Sequence, residues 1–145
     1  MGKSRGFTLI ELLVTIAIMA IIATLAAPSF GDMMLRQNLN RSTQELVSTL
    51  NEARAQAVLE RREVTVQLNT TPVANTVTQL NWMPEGKAML QAGSPTSIVF
   101  QLTGGVKDAT NDTSFAVCDK LGGAKSKTIS VSKMGTIQQV VEGTC

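Results

Sequence analysis

The stretch Gly6-Phe7-Thr8-Leu9-Ile10-Glu11, continued by an apolar run from Leu12 to Ala27 that holds neither charge nor proline, decides how the chain is read. From Phe7 to Ala27 there are about 21 residues, roughly 32 Å of helix, which matches the ~30 Å hydrocarbon core of a bilayer. The segment is long enough to span a membrane. Glu11 is its discordant residue, because an ionisable group inside hydrocarbon costs on the order of 3 kcal/mol and generally has a task. A secretory signal peptide would use Lys3 and Arg5 as its basic region, but its apolar core would run only about 7 to 15 residues. Here Ala23-Thr24-Leu25-Ala26-Ala27 imitates a cleavage site behind a core that is too long. A plain single-pass anchor fits the length, with Lys3 and Arg5 keeping the N-terminus cytoplasmic. Neither accounts for Glu11 or for the Gly6-Phe7 junction.

The ordered string Lys3-Ser4-Arg5-Gly6-Phe7-Thr8-Leu9-Ile10-Glu11-Leu12-Leu13-Val14 resembles the prepilin signature of type IV pilins and of the pseudopilins of type II secretion. The resemblance implies that a prepilin peptidase cuts between Gly6 and Phe7 and methylates the new amino group of Phe7. Met1 to Gly6 would then be a short leader, and the apolar helix would stay on the mature protein. It further implies that Glu11 pairs with the N-terminal ammonium of a neighbouring subunit as helices pack into a filament core. A carboxylate meeting an amine in low dielectric recovers much of the cost of burying either one, so the pair would favour a single docking register. The plainer alternative has Glu11 snorkelling to water.

Lys3, Arg5 and Glu11 apart, the thirteen basic and eleven acidic residues all lie after Pro28 and nearly balance. The exported part therefore has no global field for nucleic acid. The chain has no His and no Tyr, which removes imidazole metal sites, His general bases and Ser-His-Asp triads; no cofactor and no enzymatic activity are expected. With 145 residues in all, there is room for one small domain beyond the apolar run.

Pro28 and Gly31 predict a kink and not an end, since Leu35, Leu39, Leu46, Leu50, Ala53 and Ala57 continue a stripe along one helical face to about Arg62. Arg41 with Glu45, and Glu52 with Gln56, place polar pairs on the far face. The stripe is short for a coiled coil and turns to alanine, which favours packing against a sheet. After Arg62 the period becomes alternating. Val64 to Leu68, two weaker strands around Leu80-Trp82 and Met89-Leu90, Ser97 to Leu102, Phe115 to Cys118, Thr128 to Ser132 and Thr136 to Val141 read as strands. The last two are expected to be joined by the turn Lys133-Met134-Gly135.

This order, one long helix and then about seven short strands, resembles the GspH/FimT group of minor pilins and minor pseudopilins. The expected fold is α+β. A helix with a membrane-spanning first half packs by its second half on a small antiparallel sheet, divided as leader 1–6, apolar helix 7–27, amphipathic helix 28–62 and β domain 63–145. The resemblance implies a subunit of the bacterial inner membrane, its domain in the periplasm, that later joins a filament tip. Its partners would be other minor pilins, the major pilin, the peptidase, the inner-membrane assembly platform and lipid.

An exported domain sits in an oxidising compartment, so Cys118 and Cys145 are expected to pair in a structural disulfide. Lys120, Lys125, Lys127 and Lys133 form a lysine-rich stretch, opposed locally by Asp119 alone. Some FimT-type pilins bind DNA through an arginine-bearing turn in the last hairpin. The matching turn here, Lys133-Met134-Gly135-Thr136-Ile137, has no arginine, and no Tyr or Trp lies near to stack bases. A solvated lysine face is the simpler account. Trp82 is read as core, with a subunit contact as the alternative. Three classes remain: a structural minor pilin that initiates assembly, with a type II secretion pseudopilin as its near equivalent; a DNA-binding pilin; and a membrane-tethered enzyme, disfavoured by the missing catalytic groups.

Overall fold

The structure, a computed structural model, describes residues 7–68, 71 and 73–145. The expected leader and its Gly6 lie outside the described residues. Helix α1 runs Leu9–Glu60, and the chain divides into two compact units, the first ending at Met34 and the second spanning Leu35–Cys145.

In the second unit the helical stripe becomes the floor of the core. Leu39, Leu46, Leu50, Ala53 and Ala57 are all buried, while Leu35 is half-buried at the margin. Small residues toward the C-terminal end let a sheet approach closely, which is why the stripe serves packing and not a coiled-coil seam. In the gap between Leu39 and Leu46 the same face carries two buried hydroxyls. Thr43 Oγ1 donates to Leu39 O at 2.7 Å, and Ser42 Oγ accepts from the Glu85 N–H at 2.8 Å. The indole Nε1 of Trp82 donates to Ser42 O at 3.2 Å, so Trp82 is core and one turn of α1 holds the segment 82–85 by two bonds. The helix stops two residues short of the expected Arg62. Arg61 takes a left-handed φ of 51° and the Arg62 N–H reaches Ala57 O at 3.2 Å, a Schellman closure built without glycine.

Seven strands follow: β1 Val64–Leu68, β2 Gln79–Trp82, β3 Met89–Leu90, β4 Ser97–Phe100, β5 Thr113–Cys118, β6 Ser126–Val131 and β7 Val141–Gly143. They form two sheets, ordered β2-β1-β4 and β3-β5-β6-β7. Every pairing is antiparallel except β1 with β2, which is parallel, with Gln79 opposite Thr65 and Trp82 opposite Leu68. Alternate residues of both sheets meet α1: Val64, Val66, Leu68, Leu80 and Phe100 from the first, Phe115, Val117, Ile129 and Val131 from the second.

Two strand expectations need correction. Ser97 to Leu102 ends at Phe100, because Gly104 N–H bonds to Gln101 O and turns the chain, leaving Leu102 exposed. The expected strand Thr136–Val141 makes only a single bridge, Ile137 to Val131, and pairing resumes at β7. From Ile137 to Val141 the chain advances one residue more than its partner does from Val131 to Thr128, so a bulge separates the turn from β7. The polar pair Arg41 and Glu45 is also rearranged: Arg41 instead reaches Glu85, at 3.1 Å. Gln56 does donate to Glu52, at 3.1 Å.

Burial, and then the charge of Glu85, raise the pKa of Glu45, with Arg41 opposing them. The sign follows directly. A carboxyl with a raised folded pKa favours the fold below the ordinary glutamate value and loses that contribution as pH rises through the raised one. Glu45→Gln is therefore expected to raise the melting temperature slightly at pH 7 and to leave it unchanged near pH 4. Thermal melts of both chains across that range check this, and an equal offset at both ends would sink it.

The turns after β4 and β6 pack on each other. Gly135, at φ 78°, sits so close to Gly104 O that an added Cβ would overlap the carbonyl oxygen. Arg54 of α1 ties both turns down, donating from Nε to Gly104 O at 3.2 Å and from its terminal amine to Met134 O at 3.5 Å. Gly135→Ala is expected to cost about 2 to 3 kcal/mol, from left-handed strain and a backbone clash together. Gly93→Ala, at φ 88° with open space around it, should cost about 1 kcal/mol. Urea titration of the two variants separates the terms; equal losses would show that the Gly104 contact does not matter.

Candidate assembly site

At the start of α1, Thr8 and Glu11 form a reciprocal cap. The Glu11 N–H donates to Thr8 Oγ1 at 3.3 Å, while Glu11 Oε2 accepts from the Thr8 N–H and from its hydroxyl, each at 3.1 Å. This is a capping box, Thr-x-x-Glu, and it satisfies donors that the first helical turn otherwise leaves open. The carboxylate is therefore not bare before any partner arrives. The spacing was visible in the sequence, but the apolar company of Glu11 drew attention to its charge and away from this local partner.

Every side chain from Phe7 to Leu25 is exposed, Phe7 to 82%. The two threonines inside the run hide their hydroxyls against the helix itself: Thr15 Oγ1 donates to Leu12 O at 2.8 Å and Thr24 Oγ1 to Ile21 O at 2.7 Å. The run from Phe7 to Leu25 thus presents an apolar surface on which Thr15 and Thr24 keep their hydroxyls bonded to the helix, as a segment in lipid or in a helix bundle requires.

At the other end of the chain Cys118 and Cys145 are joined in a disulfide, with Cα atoms 5.8 Å apart. It fastens β7, all of whose side chains are exposed, next to the edge of β6. The four lysines do not gather into one patch. Lys120 and Lys125 belong to the β5–β6 turn, closed by the Asp119 N–H to Lys125 O. Lys127 lies on β6 beside Glu142, at 3.9 Å. Lys133 stands beyond the far end of β6, roughly 20 Å from Lys127 at strand rise. Sequence proximity suggested a cluster that the strand pulls apart. Lys125 and Lys127 instead share a groove with Arg36, a residue the sequence did not single out. Among the described residues no group of His, Cys, Asp and Glu is arranged to hold a metal.

Two family models match. The prokaryotic N-terminal methylation motif covers residues 1–27, and the type II transport protein GspH covers residues 42–135. The chain belongs to the GspH family. As such it is of the pilin and pseudopilin kind, whose members are structural subunits and not enzymes. The GspH-family chain is 41% identical over 64 residues to a fimbrial protein of Pseudomonas aeruginosa, a stretch covering 44% of this chain and 41% of that one. It is 49% identical over 49 residues to the fimbrial protein EcpB of Eikenella corrodens, 34% of this chain and 31% of that one. These matches span less than half the length of either relative. The crystal structure of the type IV minor pilin FimU of Pseudomonas aeruginosa aligns with a TM-score of 0.52 at 22% identity, over 71% of this chain and 88% of that one. This GspH-family chain therefore shares that protein's fold.

Proposed function

We propose that this chain is a minor pilin that helps to initiate assembly of a type IV pilus and resides in the tip complex. The observation that carries the proposal is the N-terminal segment: a methylation motif on a helix whose side chains from Phe7 to Leu25 are all exposed, with a carboxylate one turn from its start. A peptidase removes residues 1–6 between Gly6 and Phe7 and methylates Phe7. The subunit waits in the inner membrane with its β domain in the periplasm. The assembly platform then extracts it, Glu11 meets the Phe7 ammonium of a neighbour, and the β domain selects adjacent minor and major pilins.

Mass spectrometry of the native protein tests the first step. The expected first residue is N-methylated Phe7, and Gly6 substitution is expected to abolish the mature form. A mature-sized product from that variant would overturn the assigned cut. The GspH match favours a second reading, a minor pseudopilin of type II secretion. Deletion separates the two: loss of surface pili supports the first, and loss of exoprotein release with pili intact supports the second. DNA uptake receives no support from the divided lysines.

A further inference from the structure

The core-facing side of the second sheet does not end in an apolar residue. Residues directly opposite one another on antiparallel strands share a face. Val117, fully buried, lies opposite Lys127, and Lys127 in turn lies opposite Glu142. A row that begins in the core therefore finishes, at β7, in a lysine and a glutamate. The Lys127 side chain is only 23% exposed and that of Glu142 is 85% exposed, with 3.9 Å between their charged atoms. An ion pair that long, with one member in water, stabilises very little.

Beside this row, wholly within the second unit, lies a groove of about 370 Å³. Helix α1 contributes Arg36, Leu39 and Asn40 to its lining, and the sheet contributes Lys125, Lys127 and Glu142. Neither Arg36 nor Lys125 forms an ion pair among the described residues. Three cations thus line one groove with a single, loosely held carboxylate, on a chain that is otherwise nearly balanced in charge. Like charges brought together at a partly dry surface disfavour one another, and an incoming anion relieves that repulsion. A helix some 10 to 12 Å across does not fit so small a space, whereas one or two side chains of a loop or strand do. We propose that this groove is the docking site for an acidic segment of a neighbouring, different pilin subunit, whose carboxylate takes the place of Glu142 beside Lys127. The proposal rests on this chain being a filament subunit, and it names the chemistry by which the β domain selects a neighbour.

A carbodiimide condenses a lysine amine with a carboxylate that touches it, with loss of water, and so reads the contact directly. Filaments carrying the full chain are treated with the reagent and the linked peptides are sequenced by mass spectrometry. The expected product joins Lys125 or Lys127 to an Asp or Glu of a different pilin. Arg36→Gln keeps both lysines, yet is expected to lower the yield per incorporated chain about fivefold, the ratio that ~1 kcal/mol of lost attraction gives. Arg36→Lys and Lys133→Gln should each leave the yield unchanged. Lysines linked only to Glu142, or to nothing, overturn the proposal. So does a linkage confined to a second copy of this chain, or a yield indifferent to Arg36→Gln. Should that variant fail to assemble, the linkage map of the unsubstituted chain decides alone. An unsubstituted chain absent from filaments refutes the assembly reading and this proposal with it; one present in filaments without these linkages refutes the docking groove alone.

Discussion

Replacing Glu11 by Gln is expected to leave the chain inserted in the membrane and its first helical turn capped, yet to lower its recovery in sheared filaments by about tenfold or more. Gln at the third helical position can still bond back to Thr8, so the capping box survives. What is lost is charge. In the low dielectric of a helix bundle the attraction between a carboxylate and an amine is worth several times its value in water, and about 1.4 kcal/mol suffices for a tenfold change in incorporation. Glu11→Ala removes both the cap and the charge. The gap between the two variants measures what the cap contributes. Immunoblots of membrane and filament fractions decide the matter, and a Gln variant incorporated at the unsubstituted level would show that the carboxylate serves only its own helix.

Reduction of the Cys118–Cys145 bridge should lower the melting temperature of the β domain by about 10 to 15 °C. The bridge closes a loop with a sequence separation of 27. In the chain-entropy model that constraint is worth about 3.5 kcal/mol, and a domain of this size shifts by roughly 4 °C per kcal/mol. Strand β7 contributes no buried side chain and pairs with only Ser126, Lys127 and Thr128. Once released, it has little else to keep it in place. Amide exchange at the Ser126 to Thr128 end of β6, where β7 pairs, should therefore rise before the rest of the core opens, while Phe115 and Ile129, paired between β5 and β6, stay protected. An unchanged melting point after complete reduction would show that the link constrains nothing.

Much of this architecture was written in local patterns. The 3.6-residue stripe from Leu39 to Ala57 and the alternation Val64, Val66, Leu68 each need only their own neighbours to be recognised, and both are buried as their spacing implies. Long-range register was not legible. Whether β2 runs parallel or antiparallel to β1 depends on the path of the connection 69–78, about which side-chain periodicity is silent. The bulge before β7 hid a strand whose side chains all face water, so Val141-Glu142-Gly143 shows no alternation to detect. Among the candidate site residues, Cys118 and Cys145 were readable because only two cysteines exist to pair. The lysines misled because adjacency in a strand-forming segment is distance in space. Arg36 was missed for the converse reason, since its groove partners lie some ninety residues away in the chain.

The buried stripe on α1 fixes the order in which the domain can close. Ribosomal synthesis delivers Leu39 to Ala57 first, and every strand residue that shields them, from Val64 to Val131, arrives later. The nascent helix must therefore wait with its greasy side uncovered until the last of these strands has been made. Contacts of such long sequence separation form slowly. Throughout that delay the chain is a substrate for holding chaperones, and its exposure to aggregation is set by how long translation takes to reach β6.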